Sequence, residues 1–190
     1  PTLVEVIGAE IPRGVDGRTF LPLLNGEPQG DRDRVFKAHN ENASGGRNPM
    51  RAVQNRQFLY IFNPWSDGRR AMFSATNETR THQRMAELAK DDIQIASRLN
   101  LLKHRVLEEF YDVQKDPDCL VNLIGDPAYQ HEIQQFRHAL EEWLRDMQDP
   151  MLAAFLGRQS PKVLATYMQE QQLITQKRRE GNRATWNRAI

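Results

Sequence analysis

The run His39-Asn40-Glu41-Asn42 gathers an imidazole, two amides and a carboxylate, groups that both donate and accept hydrogen bonds. It follows a strand predicted over Arg34 to His39 and opens a polar loop that reaches Pro49. Strand ends that lead into loops are where scaffolds commonly mount binding groups. A second reading stays open, in which His39 and Asn40 only cap the strand. Beyond the loop, Arg51 sits on a run, Met50 to Asn55, that alternates apolar and polar. Its guanidinium suits bidentate recognition of an anion, or simply faces solvent. His39, Asn40 and Arg51 are the candidate ligand-contact residues.

The other reactive side chains read as structural. Cys119, between Asp118 and Leu120, has no neighbour that would lower its pKa and reads as a packing residue. His131 and His138 are seven apart, too far for an i, i+4 metal pair, and His82 and His104 fall in a charged helical stretch. The pairs Asp91-Asp92, Glu108-Glu109 and Glu141-Glu142 carry no acid/base signature and read as solvated. Trp143 reads as core, Trp65 as one wall of a groove, and Trp186 as either disordered or an anchor for a partner.

Composition excludes several classes. The chain has 190 residues with Lys plus Arg 26 against Asp plus Glu 25, so it is not a uniformly basic nucleic-acid binder. Mean hydropathy is −0.71, and no apolar run approaches the roughly 18–20 residues of a membrane span. One cysteine rules out an internal disulfide and a multi-cysteine zinc site. No phosphate loop, dinucleotide fingerprint, Gly-x-Ser-x-Gly elbow or His-Glu-x-x-His helix occurs. No leader is visible, and the opening Pro1-Thr2-Leu3 reads as a trimmed or artificial start. A periplasmic, secreted or cytoplasmic location all remain open.

These candidates must be positioned by a mixed set of elements. Short helices are predicted over Thr2–Gly8 and Thr19–Leu24, ended by Gly8 and by Asn25-Gly26. Strands follow at 34–39, 50–55 and 58–62, the last two close enough for a hairpin through Arg56-Gln57. Helical spacing returns from about 76 to 107, and strand character from 107 to 113. Asp126-Pro127 opens the strongest helix, whose stripe is Ile133, Phe136, Leu140, Trp143, Leu144 and Met147. Asp149-Pro150 ends it, and Met151–Leu156 forms a further turn or two. From Gly157 the chain holds seven basic and two acidic residues, a net +5 against −4 for residues 1–156. Val163 to Ile174 read as an amphipathic helix, and the chain after about 176 as a frayed basic end.

Five segments, in order, resemble the C-terminal part of the sulfatase family. Pro1-Thr2-Leu3-Val4 is similar to a helix that begins with Leu-Pro-Thr. Asp16-Gly17-Arg18-Thr19-Phe20-Leu21-Pro22-Leu23-Leu24 is similar to Asp-Gly-x-Ser/Thr-x-x-Pro-Leu-Leu. Pro49-Met50-Arg51-Ala52-Val53 with Phe58-Leu59-Tyr60-Ile61 resembles the hairpin with Arg-x-Val and Lys-Tyr-Ile. Glu109-Phe110-Tyr111-Asp112-Val113-Gln114-Lys115-Asp116-Pro117 resembles Glu-Leu-Tyr-Asp-Leu-x-x-Asp-Pro. Asn122-Leu123 and the helix from Asp126 complete a resemblance over about residues 1–148. The Pro-Met-Arg run and the segment from Trp143 to Pro150 look most like the heparan N-sulfatase branch.

The resemblance implies an α+β fold: a small antiparallel β-sheet packed against a long C-terminal helix, with a helical insert at about 76–105 and a helical tail. It implies two parts, a sulfatase C-terminal-like domain over 1–156 and a basic, helical or partly disordered tail over 157–190. It also implies a partner, a large N-terminal catalytic domain that carries the family's formylglycine nucleophile and calcium upstream of Pro1. Cys119 is not in the Cys/Ser-x-Pro-x-Arg motif, so this chain should hold no cofactor and hydrolyse nothing alone. It would support the catalytic domain and form one wall of a cleft for sulfated carbohydrate, with His39, Asn40 and Arg51 on that wall. The alternatives are a related phosphate or phosphonate ester hydrolase, or a non-catalytic interaction module that self-associates through its tail. An exposed apolar patch is expected where the catalytic domain sits.

Overall fold

The computed structural model describes residues 1–30, 32–41, 46–72 and 74–188, with residue 75 and residues 182–188 described as backbone only. The chain forms two compact units, Pro1–Val35 and Phe36–Ile190, so the segment from 157 belongs with residues 36–156.

The first unit holds two short helices, α1 (Thr2–Val6) and α2 (Leu21–Leu24). Gly26 follows α2 at φ +80°, a backbone region that glycine enters without steric cost, which explains the Asn-Gly stop. The Thr2 hydroxyl accepts the Phe20 amide at 3.1 Å and ties the two segments together. Leu3, Ile7 and Leu24 are at least two-thirds exposed.

The second unit is built on a four-stranded sheet in the order β1 (Val35–His39), β2 (Met50–Gln54), β3 (Phe58–Phe62), β4 (Glu108–Asp112). The β2–β3 and β3–β4 pairs are antiparallel, with Val53 opposite Tyr60 and Tyr60 opposite Phe110. The hairpin turns where expected because the Asn55 side chain accepts the amides of Gln57 at 2.9 Å and Phe58 at 2.6 Å. Between β3 and β4 the chain makes the helical insert, with α3 (Arg80–Leu88) and α4 (Ile93–His104). Asp92 caps α4 by accepting the amides of Gln94 and Ile95.

One face of the sheet carries Val53, Phe58, Tyr60, Phe62 and Phe110 against α5 (Gln130–Asp146), α6 (Leu152–Leu156) and α7 (Pro161–Arg188). Asp126 and Pro127 start a short 3-10 turn that leads into α5, and the Asp126 carboxylate accepts the Ala128 amide at 2.9 Å. Ile133, Phe136, Leu140 and Leu144 of the expected stripe are buried, together with Ala139. Trp143 and Met147 are not. Met147 is 46% exposed, and Trp143 is half-buried, stacked on Phe36 of β1 at 5.3 Å between ring centroids. Leu144 of the same turn stays in the core, while Trp143 packs at its margin. At the other end of the core, Phe155 meets Phe62 edge-on at 5.1 Å.

The segment after Gly157 is a single helix rather than a helix that frays near 176, since α7 runs to Arg188. Tyr167 and Met168 bury its first half in the core. Gly157 permits the tight α6–α7 turn, because a Cβ there would stand 2.7 Å from Val163 Cγ1. The Trp186 side chain and residues 42–45 of the polar loop lie outside the described residues.

Replacing Phe136 by Ala should cost about 3–5 kcal/mol, as for a buried aromatic. Trp143→Ala should cost at most about 2 kcal/mol, because the ring is only partly buried at the margin of the core, stacked on Phe36. Urea unfolding of the two variants checks the order, and equal losses would place Trp143 in the core after all.

Candidate functional site

The candidate residues meet at one corner of the sheet. His39 ends the edge strand β1 and is half-buried, and Asn40 beyond it is exposed. An imidazole and an amide so placed can hydrogen-bond an anionic or hydroxylated ligand.

Arg51 does something else. Its side chain is only 3% exposed, and it forms a two-point pair with Asp149: Nε to Oδ2 at 2.7 Å and Nη2 to Oδ1 at 3.2 Å. Its Nη1 donates to the carbonyls of Met50 at 2.9 Å and His39 at 3.1 Å. The guanidinium does bind a carboxylate bidentately, but that carboxylate is the chain's own. The pair thereby fixes the backbone of His39 from behind. Asp149 also accepts the Met151 amide at 2.8 Å and so joins the end of α5 to the start of α6. Asp149-Pro150 reads in the sequence as a helix stop, and nothing local marks Asp149 as the partner of a residue 98 positions away.

The loop after Asn40 is anchored to α7. Glu41 accepts from Arg47 at 2.9 Å and also pairs with Arg178, while Arg47 Nε donates to Gln171 at 2.8 Å. The hydrogen bond from Arg178 leads the causes that hold the Glu41 carboxyl below its usual pKa, against a smaller opposing push from burial.

The expectation that Glu108-Glu109 are solvated is overturned. On a strand, neighbours point to opposite faces. Glu108 turns toward the helices and accepts from Tyr60 Oη at 2.6 Å and Arg137 Nε at 2.8 Å, with Arg158 Nε at 3.5 Å. Glu109, 0% exposed, turns to the other face and accepts from Asn63 Nδ2 at 2.6 Å, Tyr111 Oη at 2.6 Å and Arg105 Nη1 at 2.8 Å. Burial, then the carboxylate beside each hydroxyl, pushes the Tyr60 and Tyr111 pKa values well up, so both stay phenols and hydrogen-bond donors. Tyr167, near the Arg51–Asp149 pair, is pushed up to about 12 chiefly by burial. Each carboxylate is thus spent on structure, with its own arginine and tyrosine.

Burial raises the Cys119 thiol, so it is a poor nucleophile. Among the described residues no group of three or more His, Cys, Asp or Glu could hold a metal ion. No helix of the described residues is long and apolar enough to cross a membrane.

Comparison with known proteins follows the same lines. No family model matches the chain. Its fold matches a candidate sulfatase from Bacteroides thetaiotaomicron, with a TM-score of 0.51 at 21% identity, over 78% of this chain and 24% of that one. An ulvan-active sulfatase from Formosa agariphila is 25% identical over 161 residues, 83% of this chain and 30% of that protein. Two curated relatives to which this chain is similar are named as ulvan-active sulfatases. A multifunctional alkaline phosphatase superfamily protein, PehA, from Trinickia caryophylli is also 25% identical, over 171 residues, 87% of this chain and 27% of that protein. The chain thus spans under a third of the length of these relatives, and the match covers the C-terminal part of the sulfatases. The names of these relatives do not single out a heparan N-sulfatase branch.

Removing either partner of the buried pair should be costly. Arg51→Ala or Asp149→Ala should each destabilise the chain by about 3–5 kcal/mol, since each leaves a buried charge unpaired. Losses under about 1 kcal/mol in urea unfolding would show that the pair is not buried in solution. The Glu41 anchor predicts a pH dependence. A carboxyl with a lowered folded pKa stabilises above its unfolded value, about 4.3 for Glu, and loses that contribution as pH falls through the lower folded value. Glu41→Gln should therefore lower Tm at pH 7 and make no difference at the acid end of a melting series.

Proposed function

We propose that this chain is the C-terminal domain of a sulfatase-like hydrolase of sulfated carbohydrate. It supports the catalytic domain and lends one wall of the substrate cleft. The observation that carries the reading is the extent of the likeness: a sheet-and-helix fold matched to 24–30% of the length of sulfatases. The relatives' names point the same way, one being active on ulvan.

In this reading the nucleophile and the calcium belong to the partner domain, because the described residues here offer neither. The exposed apolar side chains Leu3, Ile7 and Leu24 of the first unit suit a surface that packs against that domain. His39 and Asn40 supply hydrogen-bonding groups to the cleft. Arg51 acts as a positioning residue, holding the His39 backbone through Nη1 while Asp149 neutralises its charge. The likeness to the alkaline phosphatase superfamily protein supports a second reading, in which the same domain serves a phosphate or phosphonate ester hydrolase.

The test is kinetic, on the full-length protein that contains these residues. With sulfated oligosaccharide, sulfate monoester and phosphate monoester substrates, the sulfated substrates should be preferred, and the 190-residue chain alone should turn over none. His39→Ala should lower kcat/KM on the oligosaccharide by about tenfold or more, through KM, and leave Tm unchanged, as expected for loss of a substrate contact. Preference for the phosphate ester would establish the second reading. An unchanged kcat/KM in the His39 variant would remove that residue from the cleft.

A further inference from the structure

The helical insert holds a small pocket of about 180 Å³ where the 3-10 turn Ala75–Glu78, the start of α3 and the end of α4 meet. That volume lies below the roughly 300–1,000 Å³ of pockets for drug-sized molecules and suits a group of a few heavy atoms. Met72 and Leu102 give the pocket an apolar side. Its polar side includes Asn77, His82, Lys103 and Arg105, and no carboxylate is among the described residues that line it. The Met72 amide donates to the Lys103 carbonyl at 2.7 Å and ties the approach to the turn onto the end of α4.

Three of these side chains, one from each element, keep donors that the fold does not use. The Asn77 Oδ1 accepts the Ser74 amide at 2.8 Å and the Ser74 hydroxyl at 3.0 Å. Those bonds fix which way the amide faces, and its Nδ2 has no acceptor among the described residues. The His82 backbone amide donates to Thr79 Oγ1 in capping α3, while its imidazole has no hydrogen bond among the described residues. Lys103, in the last turn of α4, has no ion pair among them. Asn77 and His82 are half-buried and Lys103 is exposed, so a ligand can reach all three. Arg105 adds no free charge, because its Nη1 is committed to Glu109 at 2.8 Å. The unanswered charge of the pocket is therefore the Lys103 ammonium, flanked by an amide and an imidazole that can donate. The first turn of α3 carries no acidic residue that would oppose an anion there.

We infer that this pocket binds a small tetrahedral oxyanion, sulfate or phosphate. One oxygen answers Lys103 Nζ, and others accept from Asn77 Nδ2 and the His82 imidazole, so the bound ion bridges the turn, α3 and α4. Oxygens directed to the corners of a tetrahedron suit donors that arrive from three elements, whereas a planar carboxylate offers two oxygens to three donors. That the ion is sulfate rests on the function proposed above; the preference for a tetrahedral oxyanion rests on the pocket.

Calorimetric titration of the 190-residue chain with sodium sulfate, sodium phosphate and sodium acetate, at constant ionic strength in chloride, tests the inference. Saturable binding of sulfate is expected, about tenfold or more tighter than that of acetate. Lys103→Gln removes a charge at an exposed position. Asn77→Asp keeps an oxygen for the Ser74 donors and replaces the Nδ2 donor with an acceptor. Each should weaken sulfate binding about tenfold or more, as for loss of a charge-assisted hydrogen bond. Lys103→Gln should do so without moving Tm in chloride, which keeps the test decisive if the Asn77 variant folds poorly. Thermal melts give a second readout: sulfate should raise the Tm of the wild-type chain more than that of the Lys103 variant, since the general stabilising effect of sulfate acts on both alike. Absence of saturable binding to the wild-type chain, equal binding of acetate, or unchanged binding in the Lys103 variant would overturn the inference. Phosphate binding more tightly than sulfate keeps the oxyanion site and overturns sulfate as its ion. A full-length enzyme active on sulfated oligosaccharide beside a chain that binds neither oxyanion overturns this pocket alone. A full-length enzyme that prefers phosphate esters beside a chain that binds sulfate overturns the proposed function alone.

Discussion

The buried pair of Arg51 and Asp149 holds the sheet, the helix junction and the candidate site in one arrangement. A guanidinium withdrawn from water loses strong hydration, and only a full set of partners offsets that loss. Here two carboxylate oxygens and two backbone carbonyls provide the set. Because these acceptors belong to the β1 end, to β2 and to the α5–α6 junction, satisfying one side chain fixes three parts of the chain. The rest of the second unit packs within that frame: the aromatic face of the sheet lies on α5 and α6, and α7 closes over it through Tyr167 and Met168.

The same logic recurs on both faces of β4. Glu108 and Glu109 are adjacent in sequence yet serve separate networks, because the pleat sends them in opposite directions. Each finds an arginine and a tyrosine hydroxyl, so both carboxylates are fully partnered away from bulk water. Such networks fix which face of a strand meets which neighbour, since slipping the strand by one residue would strand both charges.

The His39 corner is held from behind by Arg51 and from the side by the Glu41–Arg178 and Arg47–Gln171 contacts, so α7 steadies a loop far from it in sequence. One helix of the basic segment therefore braces that corner through Gln171 and Arg178.

Much of the architecture was legible in the residues, and the reason is local. Asn-Gly and Asp-Pro punctuation, the period of the Ile133–Leu144 stripe and the alternation in β2 and β4 each act within a few residues. They fix the α+β class, the hairpin, the helical insert and the position of His39 at a strand end. The five ordered segments added the sulfatase likeness, which the homologues bear out. Tertiary structure decided what depends on distant partners. It turned Arg51 from an anion reader into half of a buried pair, because Asp149 lies 98 residues away. It partnered Glu108 and Glu109 inside the fold and left Trp143 at the margin of the core, stacked on Phe36. In each case the free energy comes from burial and from partners brought together only by folding, and one-dimensional spacing carries no record of them.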